Sequence, residues 1–200
     1  MSRLCGRGPL KVLVFGDTHI PERRDSIPED FFGHIEHTPY DLALITGDLV
    51  QEREMRRAMP RLPQSLIVRG NMDYSTSAYK HHEQVQLDAF NVLLLHGTQL
   101  KPRGDIQQLW EVAMNVGADI AIHGHTHQAA IDLYRNKLFL NPGTISGATG
   151  GWAGRQDASF MELEITGSEL IVRLHVSDWN VWKTSEVKYA KKDNTVQASA

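Results

Sequence analysis

The chain has one cysteine, Cys5, in 200 residues. A lone cysteine closes no internal disulfide, so the sequence reads as that of a cytoplasmic protein in a reducing compartment. Long apolar runs are also missing. No stretch of about 18 consecutive apolar residues occurs, so neither a membrane-spanning helix nor direct membrane insertion is expected. The opening MSRLCGRGPL is positively charged but has no long apolar core behind it, so no secretory signal is expected. A strand-like run begins almost at once and leaves little room for a transit peptide. Excess charge of either sign is absent, with 21 Lys and Arg against 24 Asp and Glu. That balance gives no general reason to expect binding to nucleic acid or to anionic membranes. What remains is an ordinary globular composition, 41% apolar. A chain of this length buries roughly 70% of its unfolded surface. One domain over residues 1–190 is expected, as a monomer or small homo-oligomer, with KKDNTVQASA (191–200) as a disordered tail.

Five short apolar runs stop at glycine: LKVLVFG (10–16), DLALITG (41–47), SLIVRG (65–70), NVLLLHG (91–97) and ADIAIHG (118–124). Each reads as a strand buried on both faces. Helix-like segments at about 28–36, 52–61 and 105–116 lie between several of them, the last with Asp105 as its N-cap. This alternation predicts an α/β sheet in the first 125 residues. The last third changes to strands separated by turn residues, and is expected to form a second, largely antiparallel sheet packed on the first. Between the groups, GTISGATGGWAG (143–154) carries five glycines in twelve residues and reads as a mobile loop.

Each of the five runs leads into a potential ligand. Asp17 and His19 come after the first, Asp48 after the second and Asn71 after the third. His96 ends the fourth, and His123, His125 and His127 cluster at the fifth. Ligand sites of open α/β sheets form beyond the carboxyl ends of the strands, so these residues can converge. Taken singly, such an aspartate is a turn or cap residue and such a histidine is hydrogen-bonded structure. Five successive strand ends carrying a potential ligand are not explained that way. Carboxylate, amide oxygen and imidazole together suit borderline divalent ions such as Mn, Fe, Co or Zn. Two ions sharing one bridging carboxylate would use Asp17, His19, Asp48, Asn71, His96, His125 and His127. The spacing of two in Asp17/His19 and in His125/His127 predicts that each pair points to one side of an extended segment. Periodicity alone does not exclude His123, which is read as supporting a ligand or the core. His34, His37, His81, His82 and His175 are read as surface residues.

The ordered motifs GDTH, GD, GNxD, HG and GHTH, over residues 12–142, resemble those of the calcineurin-like metallophosphoesterases. The resemblance implies a four-layer α/β/β/α sandwich of two mixed sheets around a dinuclear metal centre. By position, Asp17, His19 and His127 would hold one ion, Asn71, His96 and His125 the other, and Asp48 would bridge. FLNPGT (139–144), GDTHIPER and SIP further resemble the small phosphodiesterase branch, which includes the retromer small subunit and its prokaryotic relatives.

One departure matters: many members have a histidine after GN that protonates the leaving group, whereas this chain has Met72, read as a packing residue. The expected activity is metal-dependent hydrolysis of a phosphate ester, a phosphodiester before a monoester. Asp48, Asn71 and His96 form the expected catalytic set. Lys101 and Arg103 are candidates for substrate contact, with solvated surface charge as the alternative. Asp73 is a candidate for orienting His96 or a water, with a turn role as the alternative. The rival expectation is a scaffold that binds a helical-repeat partner in membrane-protein sorting.

Overall fold

The computed structural model describes residues 8–74, 78–151 and 154–199. It contains two mixed sheets. The larger runs β12-β11-β10-β9-β1-β2-β3 and the smaller β4-β5-β6-β8-β7. In the larger sheet, β1 (Leu10–Phe15) pairs in parallel with β2 (Leu42–Ile45), which pairs in parallel with β3 (Ser65–Ile67). On its other side β1 pairs antiparallel with β9 (Ala158–Thr166), and β10 (Glu169–Ser177) follows. In the smaller sheet, β5 (Phe90–Leu95) lies between β4 (His82–Leu87) and β6 (Ile120–Ile122). The hairpin of β7 (Ala129–Tyr134) and β8 (Lys137–Pro142) completes it.

Side-chain alternation builds the layers. Val12, Val14 and Leu44 of the larger sheet meet Val92, Leu94, Ile120, Ile122, Leu138 and Leu140 of the smaller in one apolar core. The alternate residues Leu13, Phe15, Ala43 and Ile45 face outward under α1 (Glu29–His37) and α2 (Glu52–Ala58). On the opposite side, Leu93, Leu95, Ala121 and Phe139 pack against α3 (Ile106–Asn115). Both faces of these strands are therefore apolar, which is why their sequences run without alternation. Asp105 caps α3, accepting from the Gln108 backbone N–H at 2.8 Å. Among the described residues no helix is long and apolar enough to cross a membrane.

The four layers are as expected, but the division of strands between the sheets is not. The fourth and fifth apolar runs leave the first three and form the smaller sheet with β7 and β8, while β9 and β10 return beside β1. Continuous apolarity reports burial on two faces and carries no information about which neighbour a strand takes. The tail is also corrected. β11 (Trp182–Lys192) runs past residue 190 and pairs with β12 (Thr195–Ala198). Asp193 and Asn194 both take positive φ, 47° and 60°, the geometry of a tight two-residue hairpin turn. Val196 is 1% exposed in the inter-sheet core, and Lys191 Nζ reaches Asp119 Oδ2 at 2.6 Å. Those contacts hold a segment whose composition alone suggests disorder.

Candidate metal centre

Five of the seven candidate ligands have a backbone that non-glycine residues seldom adopt. φ is 47° at Asp17, 48° at His19, 53° at Asp48, 70° at His125 and 60° at His127. Such residues cost of order 1–3 kcal/mol each and persist only where the surroundings over-determine them. Here each left-handed residue lies past the end of a buried strand, and its donor atom joins one of two groups. The extended-segment expectation for the paired histidines is therefore corrected. His125 and His127 both leave the β region, and their ring nitrogens enter different groups. Gly47 and Gly97 turn the chain at φ 94° and 99°, whereas Gly70 and Gly124 contribute room. A Cβ at Gly70 would sit 2.1 Å from Asp48 Oδ1, and one at Gly124 would sit 2.6 Å from Asp17 Oδ2.

Asp17, His19, Asp48 and His127 form one group of facing donor atoms, and Asp48, His96 and His125 form a second. Asp48 belongs to both: its Oδ2 lies 3.5 Å from His19 Nε2 and 3.4 Å from His96 Nε2. Asn71 joins the second group, with Oδ1 3.3 Å from His96 Nε2. In the first, His127 Nε2 is 3.4 Å from Asp17 Oδ1 and 3.2 Å from His19 Nε2.

The tautomers follow from the partners. His96 Nδ1–H donates to the Thr46 carbonyl at 2.7 Å, and His127 Nδ1–H to the Ala148 carbonyl at 2.6 Å. A carbonyl only accepts, so in the neutral rings the lone pair is on Nε2, which faces the site. Metal-binding histidines are oriented this way. Asp17 Oδ1 and His19 Nδ1 are buried without a hydrogen-bond partner. A buried carboxylate oxygen facing imidazole lone pairs is a donor set that a cation satisfies.

The electrostatics agree. Burial pushes His19 down to about 3, leaving it neutral and free to donate. Burial, with the His96 charge, lowers His125 to about 4. Burial raises Asp17 to about 6, against the pull of His96 and His127. Burial also works against charge on Asp48 and His96, but their mutual hydrogen bond and attraction, with the Met72 N–H on Asp48 and the Asp17 charge and Thr46 carbonyl on His96, together outweigh it. Asp48 falls to about 2 and His96 rises to about 9. Without a cation, the proton on His96 balances Asp48.

The remaining expected residues separate. Asp73 takes the turn role. It accepts the backbone N–H groups of Asp48, Leu49, Val50 and Gly70 at 2.7–2.9 Å and so fixes the loop carrying Asp48. His123 lies outside both groups. It is near Asn141 Nδ2 at 3.2 Å and lines a cavity of about 390 Å³ with Arg103. Burial lowers its pKa to about 4. The Arg103 charge acts on His125, whereas Lys101 is exposed and bonds Gln108 through its backbone. Met72 is half-buried at the rim of a second cavity of about 490 Å³, 3.0 Å from the Tyr74 hydroxyl, and is not a core packing residue. Its backbone N–H donates to Asp48 Oδ1 at 2.7 Å.

The sequence reading missed Thr46, Thr144, Ser146 and Ala148. The Thr144 and Ser146 hydroxyls hold the carbonyls of Asp17 and Thr18 at 2.8 and 2.7 Å. The first half of the glycine-rich stretch is thus buried against the site and not a mobile loop; Trp152 and Ala153 lie outside the described residues. The NPGT that begins it was the available signal.

A family model described as the calcineurin-like phosphoesterase superfamily domain matches residues 10–167. The chain belongs to this superfamily. A "probable metallophosphoesterase" of Methanothermobacter thermautotrophicus is 36% identical to this phosphoesterase-family chain over 160 residues, 78% of this chain and 87% of that one. Vps29 of Entamoeba histolytica, solved as a single-substitution variant, is 31% identical with a TM-score of 0.80, covering 90% of this chain and 99% of its own. The wild-type form of that protein, solved in complex with zinc, is 30% identical with a TM-score of 0.79 over the same shares. The fold is thus that of the small branch that includes Vps29.

Proposed function

We propose that this phosphoesterase-family chain is a metal-dependent phosphodiesterase with a dinuclear centre at the carboxyl ends of its strands. The observation that carries this reading is Asp48 Oδ2, within 3.5 Å of a histidine nitrogen in each of two donor groups. Asp17, His19 and His127 would hold one divalent ion, Asn71, His96 and His125 the other, and Asp48 both. When bound, such ions supply Lewis acidity at phosphoryl oxygens and lower the pKa of a water. The chain's own residues do the rest. Asn71 adds a neutral oxygen and so keeps the centre's net charge positive toward an anionic ester. The carbonyls of Thr46 and Ala148 keep two imidazoles oriented. Arg103, close enough to act on His125, offers a positive charge to a substrate anion beside the centre. Met72 donates no proton, so the leaving group departs on its own acidity. The single cysteine supports a cytoplasmic setting.

Hydrolysis of a nitrophenyl phosphodiester with added Mn tests this reading, beside His125→Ala and His127→Ala at equal folded fraction. Metal-dependent turnover lost in both variants is expected; turnover that survives both would overturn it. The likeness to Vps29 over 99% of that chain favours a second reading, a scaffold for a helical-repeat partner. Full metal occupancy without turnover on any phosphoester, together with capture of such a partner, would favour it.

A further inference from the structure

Beneath α1, on the outer face of the larger sheet, lies a second cluster of donor atoms that shares no residue with the centre above. His34 of α1, Glu162 of β9 and His175 of β10 face one another within 4.8 Å. His34 Nε2 is 2.8 Å from Glu162 Oε1, and His175 Nε2 is 3.1 Å from Glu162 Oε2. His175 was expected at the surface but is 3% exposed, enclosed by Phe160 and Trp182. We propose that His34, Glu162 and His175 form a separate mononuclear site for zinc or a similar borderline divalent cation, which clasps α1 to strands β9 and β10.

The chemistry is that of a common zinc set, two imidazoles and one carboxylate. At Zn–N distances of 2.0–2.1 Å, a tetrahedral site places neighbouring ligand atoms roughly 3.3 Å apart. The observed 2.8 and 3.1 Å from Glu162 to the two rings approach that edge, and the two histidine nitrogens lie within 4.8 Å of each other. An independent observation points to a ligand. His175 Nε2 is buried and makes no well-formed hydrogen bond, although it lies 3.1 Å from Glu162 Oε2. A nitrogen so placed can still share a cation with the carboxylate.

The surroundings support each ligand from behind. Tyr40 donates to Glu162 Oε1 at 2.5 Å. His175 Nδ1 is 2.9 Å from Thr184 Oγ1, an acceptor for the N–H that a ligating ring must carry on its other nitrogen. Trp182 Nε1 contacts the same Nδ1 at 3.2 Å, a bond it would release when the ion binds. Burial works against charge on Glu162, yet its nearness to His175, Tyr40 and His34 holds the carboxylate at about 2, ionised and available. The His34 side chain is 30% exposed and provides both an entry path and room for a solvent ligand.

The test compares metal-stripped wild type with His34→Gln and Thr184→Val by equilibrium dialysis against zinc, followed by elemental metal counting. Folded fraction is checked by circular dichroism. His34→Gln should bind one equivalent less than wild type, however many ions the other centre takes. Thr184→Val changes an exposed residue and should keep the count at saturating zinc. Its zinc affinity at this one site should fall at least tenfold, the scale of losing a ligand's supporting hydrogen bond. Trp182 fluorescence should change on zinc addition in wild type and not in His34→Gln. Equal zinc counts in wild type and His34→Gln would overturn the proposal and leave the cluster an ion pair pinning α1. If His34→Gln does not fold, Thr184→Val decides: unchanged affinity at every site would overturn it. Loss of metal in His125→Ala with this equivalent retained keeps the outcome separate from that of the dinuclear reading.

Discussion

Replacing Asp73 with asparagine should damage the centre without touching a metal ligand. The carboxylate is 2% exposed and accepts four backbone N–H groups, Leu49 and Val50 on Oδ1 and Asp48 and Gly70 on Oδ2. An asparagine keeps one oxygen and turns an NH₂ on the other pair, so two donors lose their acceptor and meet another donor. Each buried unsatisfied group costs about 1–3 kcal/mol, giving roughly 2–6 kcal/mol for the substitution. That is a large part of a typical total stability of about 5–15 kcal/mol. For a chain of this size it predicts a fall in Tm of roughly 4–24 °C. The loop is also the one that holds Asp48 at φ 53°, so its relaxation moves the shared carboxylate. Thermal melts of wild type and Asp73→Asn, with Mn titrations at a temperature where both are folded, read the two effects separately. A Tm within about 1–2 °C of wild type together with unchanged Mn affinity would refute the assignment of Asp73 to this loop.

Activity should fall steeply as the leaving group becomes more basic, because Met72 protonates nothing; equal rates on alkyl and nitrophenyl esters would show another acid at work. Met72→His should raise the rate on poor leaving groups, since the position faces an open cavity with room for the ring. His125→Ala and His127→Ala should each lose at least tenfold in metal affinity or rate. His123→Gln should retain full metal content and lose roughly 1 kcal/mol of stability, from one weakened buried hydrogen bond. Metal affinity should rise with pH, because the proton on His96, at about 9 in the metal-free protein, must leave before the ring ligates. Between pH 7 and 8 the gain is about tenfold, flattening above 9. Below pH 6 protonation of Asp17, raised to about 6, steepens the loss, and calorimetric metal titrations across this range check both slopes.

The candidate ligands were legible because each lies at or just past the end of an apolar run closed by glycine, a local pattern needing no knowledge of the partner strand. The allotment of strands to sheets was not legible, because Val12 and Val92 meet across the core only after the chain crosses between layers. β4 and β11 were missed for a different reason. They lie at or near sheet edges, with alternating or mostly exposed residues that read as polar linkers. His175 misled because it follows Ile171 and Arg173 on the outer face of β10, which looks solvent-facing until α1 and Trp182 cover it. His123 was ambiguous by parity for a reason now visible. It continues the outward face of Ala121, and parity ends at His125, where φ turns positive.

That break in parity bears on how the site is held. A strained residue at a free loop would relax, so the left-handed residues need fixed carbonyl and carboxylate partners. Asp17 N donates to the Gly47 carbonyl at 2.9 Å and His19 N to the Asp48 carbonyl at 3.0 Å, which ties the first strand end to the second. His125 N donates to Asp17 Oδ2 at 3.0 Å, and His96 Nδ1 to the Thr46 carbonyl at 2.7 Å, so the smaller sheet is tied to the larger through the candidate ligands themselves. The centre therefore spans the seam between the two sheets, and small shifts of one sheet on the other would change its donor spacing directly. Core substitutions in the inter-sheet layer that leave every ligand in place, such as Leu94→Ala, should then weaken metal binding as well as stability. Leu109→Ala, behind the smaller sheet under α3, should cost similar stability, about 2–5 kcal/mol, with a smaller effect on the metal. Metal affinity measured for both variants while still folded separates seam geometry from global stability, and equal metal loss in the two would show that the seam has no special part.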